Sequence, residues 1–458
     1  MYKPSKYNYI VKNIHGDFLL YNTSQGVKSF YKLPAGRDGI ISLLKAKQVR
    51  RDPLTDKLAQ LGFLIAQEVN EDVAIESLYE KTVYDTQMNL IISPTDDCNF
   101  RCTYCCEDFE KKFMSDEVQQ SILQYVEKNI NLSSGLNIDW FGGEPLLALD
   151  IIIDLSAKLI QICKKAKKNF SSFITTNGYL LDLEAFEKLY KHHVFTYQIS
   201  LDGVKTIHDK QRITDSGAPT FDAIFNNLLN IKKSGVGKFA TILVLTNLSD
   251  CLEDDILEYK RLFHSNFSDD SRFAFACARI MDLGGSRIGN YSSHIINSDG
   301  MNKMYSKLMS IDDYNLNYNY QKFLSPGGLV CYSGKQNSYV IACDGQLYKC
   351  EHMYQTKREQ PIGYLSKQGD MIIDQKKVEP WKATWDRCAS KSCKLKPLCL
   401  GEDCINNRIL DKQLDGKETC DFQLCHFEKH TLENILLLLD HDCNAFKNLL
   451  SYIDNAQP

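Results

Sequence analysis

The sequence predicts an α/β fold in which a parallel sheet curls into a partial (β/α)6 barrel. Between residues 87 and 282, apolar strand patterns alternate six times with amphipathic helix patterns, and loops rich in cysteine, glycine and polar residues follow the strands. Helical crossovers between parallel strands are right-handed and bring the loops after the strands to one edge of the sheet. The predicted strands are 88–92, 136–141, 173–176, 196–200, 239–246 and 272–279.

Helix patterns fill the intervals between these strands. In the second helix pattern, apolar residues recur at Ile152, Leu155, Leu159 and Ile162, and Asp150 is the predicted N-cap. This spacing predicts one buried helix face against the sheet. The predicted helices lie near 115–130, 149–168, 183–192, 220–234 and 253–266.

The pattern of residues 1–86 predicts a separate small domain. Two β-rich stretches, 7–11 and 17–21, flank a turn at His15-Gly16 and form a hairpin candidate. Helical segments follow at 40–44 and 53–61, and a short strand pattern returns at 62–65. Hairpin, helices and a short wing predict a winged-helix-like domain.

Composition and charge exclude several classes of function. A net charge of −4 argues against binding to duplex nucleic acid, and no run reaches the roughly 18 apolar residues of a membrane span. The first residues lack the apolar region of a signal peptide, so we expect a cytoplasmic protein with reduced thiols. The 17 cysteines are therefore not a disulfide framework, and they require a metal or redox explanation.

Three cysteines follow the first barrel strand within eight residues. Cys98, Cys102 and Cys105 have C-x3-C-x2-C spacing, which is neither the C-x2-C pairing of zinc ribbons nor the ferredoxin run. A [4Fe–4S] cluster takes four cysteine ligands, so three local ones leave one iron open for chemistry.

Further motifs follow the next strands. Gly142, Gly143 and Glu144 come after the second strand, where paired glycines allow close approach to the backbone and a carboxylate can bind an ammonium group. Asn177 follows the third strand, and a polar run at 200–212 follows the fourth. Each of these could be a simple turn, but their repeated placement after strands indicates one site.

A second cysteine-rich region begins at Cys331. Cys331, Gly345 and Cys350 form C-x13-G-x4-C, with Cys343 between them. The spacings that follow also suit tetrahedral zinc sites, so zinc stands as an alternative for this region. The later cysteines are Cys388, Cys393, Cys399, Cys404, Cys420 and Cys425.

Together these motifs resemble those of radical S-adenosylmethionine (AdoMet) enzymes with a C-terminal SPASM extension. The resemblance implies that a reduced cluster on Cys98, Cys102 and Cys105 cleaves AdoMet to a 5′-deoxyadenosyl radical, which abstracts hydrogen from a substrate. It also implies an electron donor such as flavodoxin or ferredoxin. The residues that match AdoMet-binding positions of the family are Tyr104, Gly142, Gly143, Glu144, Asn177, Ser200 and Arg212.

The SPASM resemblance implies two auxiliary [4Fe–4S] clusters, and so three clusters with about twelve irons per chain. The family run is C-x2-C-x5-C-x3-C, whereas this chain has C-x4-C-x5-C-x4-C, a departure that concerns Cys388 most. Cys343 is either a fourth inner ligand or a buried thiol. The inner cluster is expected on Cys331, Cys350 and Cys404, and the outer one on Cys388, Cys393, Cys399 and either Cys425, which we favour, or Cys420.

Other residues with reactive side chains are expected to be structural. His208 lies within the run that follows the fourth strand and is expected to support it rather than act as a base. Five cysteines have no partner at useful spacing and are expected in the core, namely Cys106, Cys163, Cys251, Cys277 and Cys443.

The resemblance favours a maturase of ribosomally made peptides (RiPPs) of the sactipeptide or ranthipeptide type, which installs a cysteine thioether crosslink. The winged-helix-like domain would capture the leader of a precursor peptide by adding a strand to a sheet edge. Sulfatase-maturating enzymes, which form formylglycine, are the alternative and carry Asp after the auxiliary cysteine, whereas Glu351 follows Cys350 here as the candidate base. A carbon–carbon peptide cyclase and a non-catalytic iron–sulfur or zinc scaffold are further alternatives.

The expected domains follow from these patterns. A leader-recognition domain at 1–86 precedes the radical AdoMet core at 87–300, and a bridge at 301–330 leads to the SPASM domain at 331–430. A C-terminal helix and tail occupy 431–458.

Overall fold

The computed structural model describes residues 1–249, 252, 254–280, 287–296, 300, 304, 324–356, 360–382, 393–401, 405, 432, 436, 440 and 447–448. The chain divides into two compact units. Unit 1 comprises Met1–Tyr84, Asp312–Lys335 and Ala383–Pro458, and unit 2 comprises Asp85–Ile311 and Gln336–Lys382. Several cysteines singled out in the sequence lie outside the described residues, namely Cys251, Cys388, Cys404, Cys420, Cys425 and Cys443.

Among its described residues, unit 1 contains two small sheets, three helices in its first 84 residues and the short helix Lys396–Cys399. One sheet pairs β1 (Tyr2–Pro4) antiparallel with β5 (Leu64–Ala66). The other orders β2, β3 and β4 as an antiparallel meander, and Lys447–Asn448 adds to β4 in parallel. The remaining bounds are β2 (Asn8–Lys12), β3 (Phe18–Asn22), β4 (Tyr31–Leu33), α1 (Asp38–Leu43), α2 (Pro53–Gln60) and α3 (Glu71–Val83).

Local sequence signals fix the ends of these helices. Asp52 caps α2: its carboxylate accepts a hydrogen bond from the Thr55 amide, and the Asp52 amide donates one to the Thr55 hydroxyl. Pro53 occupies the first helical position. Asn70 caps α3 in the simpler way, accepting a hydrogen bond from the Asp72 amide. These caps end the loops before α2 and α3 at defined residues.

The core of unit 1 is completed by residues far along the chain. Tyr9 and Tyr21, on β2 and β3, are buried in one apolar cluster with Leu324, Leu398 and Leu432. The Tyr21 hydroxyl donates a hydrogen bond to the Leu324 carbonyl at 2.6 Å. The first 84 residues therefore share their core with segments that come after the barrel in the sequence.

Unit 2 is built on a ten-stranded sheet, and the predicted α/β class is confirmed. Its strand order is β11-β10-β9-β8-β7-β6-β12-β13-β14-β15, parallel from β11 to β12 and antiparallel beyond. The strands are β6 (Met88–Ile92), β7 (Gly135–Trp140), β8 (Asn169–Thr176), β9 (Val194–Ser200), β10 (Thr241–Leu248), β11 (Phe273–Arg279), β12 (Ser338–Ile341), β13 (Gln346–Tyr348), β14 (Gly363–Leu365) and β15 (Met371–Ile373).

Helices connect the parallel strands at the predicted places. Ile152, Leu155 and Leu159 of α5 are buried as its periodicity predicts, whereas Ile162 is only partly buried and Cys163 takes the core position beside it. The helices of unit 2 are α4 (Asp116–Asn129), α5 (Leu149–Lys165), α6 (Leu183–Lys191), α7 (Lys205–Gln211), α8 (Phe221–Ser234), α9 (Ile256–Phe267), α10 (Ile288–Tyr291), α11 (Glu351–Gln355) and α12 (Gln375–Val378).

The predicted N-cap of α5 is wrong. Asp150 lies inside the first turn, and Ala148 occupies the cap position. The cause is a 3-10 turn at Pro145–Ala148, where proline starts helical geometry early and the Glu144 carboxylate accepts a hydrogen bond from the Leu146 amide. Asp150 still complements the helix dipole from the first turn.

Within the described ranges, we find no helix that combines the length and apolarity needed to cross a membrane.

The Tyr21 hydroxyl provides a test of the shared core of unit 1. Tyr21→Phe leaves the Leu324 carbonyl without this donor, and we expect a loss of about 1–3 kcal/mol in the free energy of unfolding. Tyr84→Phe is the matched control, because Tyr84 is 57% exposed. Equal urea midpoints for the two variants would show that the contact between Tyr21 and Leu324 does not stabilise the unit.

Candidate active site

The three-cysteine loop follows β6, which lies between β7 and β12 inside the sheet. Cys98 and Cys102 are each 7% exposed, Cys105 is partly buried, and all three are free thiols. Burial raises the pKa of each of the three, so they are protonated at neutral pH without a positive partner. Binding to iron would stabilise the thiolate forms.

Backbone hydrogen bonds hold this loop against the segment after α7. The amide of Arg101 donates to the Ile213 carbonyl at 2.8 Å, and that of Thr103 donates to the Gln211 carbonyl at 2.9 Å. Phe100, the residue before Arg101, is fully buried, with its ring edge-on to Tyr179. The loop is therefore placed by main-chain pairing, which depends little on the cysteine side chains.

The glycine loop after β7 packs directly against the residues that precede Cys98. The Gly143 amide donates to the Thr95 carbonyl at 3.2 Å, and the Glu144 amide donates to the Asp97 carbonyl at 2.8 Å. A Cβ atom on Gly143 would lie 2.3 Å from the Asp97 carbonyl oxygen, and one on Gly142 would lie 2.5 Å from that of Thr95. Both glycines are thus required for the two loops to touch.

Glu144 is held by donors from the next loop. Its carboxylate accepts hydrogen bonds from the Thr176 hydroxyl at 2.6 Å and from the Asn177 amide at 2.7 Å. Burial raises the pKa of Glu144, and these hydrogen bonds offset only part of that rise. The Asn177 side chain donates in turn to Asn99 in the cysteine loop at 2.7 Å, so three loops at the end of the sheet are joined.

A second polar network lies on Tyr104, which is part of the cysteine loop. The Tyr104 hydroxyl donates to the buried Asp202 carboxylate and accepts hydrogen bonds from Arg212 at 2.7 Å and Asn247 at 3.1 Å. The Asn247 amide also donates to Asp202 at 3.0 Å, and the Arg212 guanidinium lies 3.8 Å from the same carboxylate. Arg212 is thereby fixed by a neutral partner in the cysteine loop and a charged partner just after β9.

His208 supports this network through hydrogen bonds to the Asp202 backbone and the Thr220 side chain. Its Nδ1 accepts a hydrogen bond from the Asp202 amide at 3.0 Å, so its Nε2 carries the proton toward the Thr220 hydroxyl, also at 3.0 Å. The Thr220 hydroxyl donates to the Arg212 carbonyl. Burial lowers the pKa of His208 well below its ordinary value, so the ring is neutral and both its nitrogens are engaged.

Two observations test whether these residues fit a cluster and AdoMet. The Arg212 Nε is buried without a hydrogen-bond partner in the described structure, which suits a ligand with acceptor oxygens. The loop offers three thiols, the type of ligand that an iron–sulfur cluster takes, so its donor chemistry fits a cluster with one iron left to another ligand. Separately, no group of three His, Cys, Asp or Glu side chains in the described ranges is arranged to hold a single metal ion.

Helix α11, which directly follows Cys350, packs on the same loops. From α11, the Tyr354 hydroxyl donates to Asp96, and the Gln355 side chain donates to the Gly142 carbonyl at 3.4 Å. Glu351 begins this helix, and burial raises the pKa of its carboxyl to about 7. Buried Cys350 is its N-cap residue. Burial raises the pKa of Glu107, two residues after Cys105, and the charge of Glu351 acts on Glu107 in the same direction.

The other predicted ligands that are described lie in different surroundings. The buried thiol of Cys343 donates to the Asp96 carboxylate at 3.0 Å. In unit 1, Cys331 lies 3.1 Å from the Ser333 hydroxyl, Cys399 is buried at the end of the short helix Lys396–Cys399, and Cys393 packs partly buried against the Tyr9 cluster. The structure thus brings Cys98, Cys102 and Cys105 together in one loop, but it describes only some of the predicted auxiliary ligands.

Sequence reasoning missed three polar partners of the site. Asp202 and Asn247 bind Tyr104, and Asn99 binds Asn177. The places of two of these residues in the chain could have indicated the site, because Asn247 is near the end of β10 and Asp202 follows β9. Ser200, which was predicted, is the last residue of β9 and is partly exposed.

Gly143→Ala tests the contact between the loops. The added methyl group would meet backbone rather than a movable side chain, so the cysteine loop must shift. We expect the variant to lose at least about tenfold in 5′-deoxyadenosine formed under dithionite. Gly39→Ala is the matched control, because its Cβ would meet nothing within 4 Å. Full activity in Gly143→Ala would contradict the role given to this contact.

Comparison with known proteins agrees with this geometry. Residues 92–259 match the radical SAM superfamily. A cysteine-type anaerobic sulfatase-maturating enzyme of Clostridium novyi is 32% identical over 152 residues, which cover 31% of this chain and 39% of that protein. A serine-type anaerobic sulfatase-maturating enzyme of Bacteroides thetaiotaomicron is 27% identical over 151 residues, covering 30% and 35%. The chain thus matches less than half the length of these relatives.

A solved structure described as native anSMEcpe with bound AdoMet and Kp18Cys peptide has a similar fold, with a TM-score of 0.54 and 19% identity over 81% of this chain and 99% of that one. The motifs after β6, β7, β8 and β9 fall inside or next to the matched range. Over residues 92–259 the chain is therefore similar to the radical SAM superfamily, a family that uses AdoMet and a [4Fe–4S] cluster.

Proposed function

We propose that this chain is a radical AdoMet peptide maturase that crosslinks a ribosomally made precursor, with a cysteine thioether as the bond formed. The observation that carries the proposal is the architecture of unit 1. Unit 1 joins an antiparallel sheet of three short strands to helices α1–α3, a set of elements suited to capturing a peptide by strand addition. A polypeptide substrate also agrees with the names of the relatives, which mature sulfatases.

The residues of the barrel would hold AdoMet and exclude water. Cys98, Cys102 and Cys105 would bind the first cluster, while Glu144 with its glycines would face the methionine amino group. When bound, AdoMet and the clusters would supply the one-electron chemistry that removes a hydrogen atom and one further electron from the substrate. Arg212, whose buried Nε has no partner in the described structure, would donate hydrogen bonds to the AdoMet carboxylate or ribose together with Ser200.

Glu351 would act as the base toward the substrate. Thioether formation removes a hydrogen atom from carbon and a proton from the cysteine thiol before carbon and sulfur join. Glu351 is the first residue of α11, the helix that contacts Asp96 and the Gly142 carbonyl. Its carboxylate is therefore close to the loops that would hold AdoMet, and it can receive that proton.

Two segments that carry auxiliary ligands run side by side in unit 1. The Gly327 amide donates to the Pro397 carbonyl at 2.8 Å, and the Leu329 amide donates to the Leu398 carbonyl at 3.1 Å. This pairing places the segment before Cys331 next to the one that ends at Cys399. The proposed ligand sets remain Cys331, Cys350 and Cys404 for the inner cluster, and Cys388, Cys393, Cys399 and Cys425 or Cys420 for the outer one.

Formylglycine formation is the second candidate, because curated relatives matching the radical SAM core are sulfatase-maturating enzymes. Their similarity covers 31% and 30% of this chain. The presence of glutamate rather than aspartate after Cys350 favours the peptide crosslink. A carbon–carbon crosslink would leave every substrate thiol free and so can be recognised by thiol labelling.

The test uses the full chain with reconstituted clusters, dithionite, AdoMet and the small peptides encoded beside its gene. We expect one peptide to lose two hydrogens and one free thiol per crosslink, as read by mass spectrometry with thiol labelling. Replacement of sulfur by oxygen would support formylglycine formation instead. An unchanged peptide mass with 5′-deoxyadenosine still formed would contradict the proposed substrate.

Glu351→Gln separates the base from the AdoMet chemistry. Without the carboxylate we expect peptide crosslinking to fall about 100-fold, while uncoupled 5′-deoxyadenosine formation stays within about threefold of the wild type. Glu379→Gln, at an exposed position, is the matched control. Normal crosslinking by Glu351→Gln would remove Glu351 from the mechanism.

A further inference from the structure

The outer edge of β4 in unit 1 is occupied by the chain's own C-terminal region. On its inner side β4 pairs antiparallel with β3, and on its outer side Lys447 and Asn448 pair in parallel with Tyr31 and Lys32. The sheet order places this two-residue strand at the end of the sheet. The hydrogen-bonding groups that an edge strand normally exposes are therefore covered at β4 by a short intramolecular strand.

Residues before this strand anchor the C-terminal region to the same unit. Leu432 and Leu436 are fully buried in the cluster that includes Tyr9 and Leu19. These contacts hold the region near the sheet whether or not Lys447–Asn448 is paired. The anchor and the edge strand are thus separable parts.

A polar contact lies between the anchor and the edge strand. Asp440 is 2.9 Å from the Lys32 ammonium of β4, and it accepts a hydrogen bond from Asn13 at 2.7 Å. Lys32 also contacts Asp17 at 3.2 Å. The Lys32 ammonium at the β4 edge is therefore paired with two carboxylates, those of Asp17 and Asp440, and Asp440 belongs to the C-terminal region.

An edge of this kind accepts one added strand at a time. An extended peptide that paired with Tyr31–Leu33 would need the same main-chain groups that Lys447–Asn448 now uses. Pairing over two residues offers few hydrogen bonds, but the tether gives it a high effective concentration. A longer peptide strand can displace it, whereas a short or poorly matched one cannot.

We propose that the outer edge of β4 is a peptide-docking edge, and that Lys447–Asn448 is its built-in occupant, which an incoming extended peptide displaces. A carboxylate in that peptide can take the place of Asp440 beside Lys32, so the favoured partner is an extended segment with an acidic residue. The identity of that peptide as a precursor leader rests on the proposed function; the occupation of the edge does not.

The first experiment measures the occupant alone. A chain ending at residue 441 keeps Leu432, Leu436 and Asp440 but lacks the edge strand. We expect hydrogen exchange of the β4 amides to quicken about tenfold or more in this truncated chain. A labelled synthetic peptide of residues 442–458 should bind the truncated chain at least about tenfold more tightly than the full chain, and should slow exchange at β4 again.

A point variant of the full chain is a control for the case in which the truncated chain folds poorly. Asn448→Pro removes a backbone donor and disfavours strand geometry, so in the full chain it should quicken β4 exchange as truncation does. Ala456→Pro, outside the paired residues, is the matched control and should leave exchange unchanged. Unchanged β4 exchange in both the truncated chain and Asn448→Pro would overturn the proposal.

The second experiment adds the peptides encoded beside the gene. Tighter binding to the truncated chain than to the full chain, with new protection at β4, supports displacement. Equal affinity for both chains, or protection at β2 instead of β4, overturns it. If the 442–458 peptide binds the truncated chain and none of the encoded peptides does, the edge is confirmed as a docking edge and the precursor-leader assignment fails.

Discussion

The candidate active site depends on the contact between the loop before Cys98 and the glycine loop after β7. At Gly143 the backbones approach so closely that a Cβ atom would lie 2.3 Å from the Asp97 carbonyl oxygen. Through this contact the cysteine loop is placed relative to Glu144, and through Glu144 relative to Thr176 and Asn177. Glycine is needed here for packing between two loops of the chain, whereas the sequence suggested room for a ligand; the two roles are compatible because the same loop can face AdoMet.

A network of buried polar groups joins the cysteine loop to the segments that follow β9 and α7. Asp202, Tyr104 and Arg212 are mutually hydrogen-bonded or ion-paired, and His208 with Thr220 fixes the backbone that carries two of them. Such groups are costly to bury unless they are paired. The Arg212 Nε departs from this pattern, and a bound ligand with acceptor oxygens accounts for the departure.

The barrel was predictable because its signals are local and repeated. Long apolar strands and amphipathic helices have periods that can be read directly, and the predicted strand 88–92 coincides with β6. Asp150 was misassigned because Pro145 begins a 3-10 turn, a local competition that the periodicity of α5 does not show. The polar partners Asp202 and Asn247 depend on which strands are neighbours, information that a single motif does not contain. The shared core of unit 1 escaped prediction for the same reason, since Tyr21 and Leu324 are 303 positions apart.

The central claim is that the three-cysteine loop and the polar networks around it form an AdoMet-cleaving site. Reduction of the anaerobically reconstituted full chain with dithionite in the presence of AdoMet tests this claim most directly. The account predicts methionine and 5′-deoxyadenosine in equal amounts, both abolished when Cys98, Cys102 and Cys105 are replaced by alanine. Absence of 5′-deoxyadenosine from a chain with its full complement of about twelve irons would contradict it.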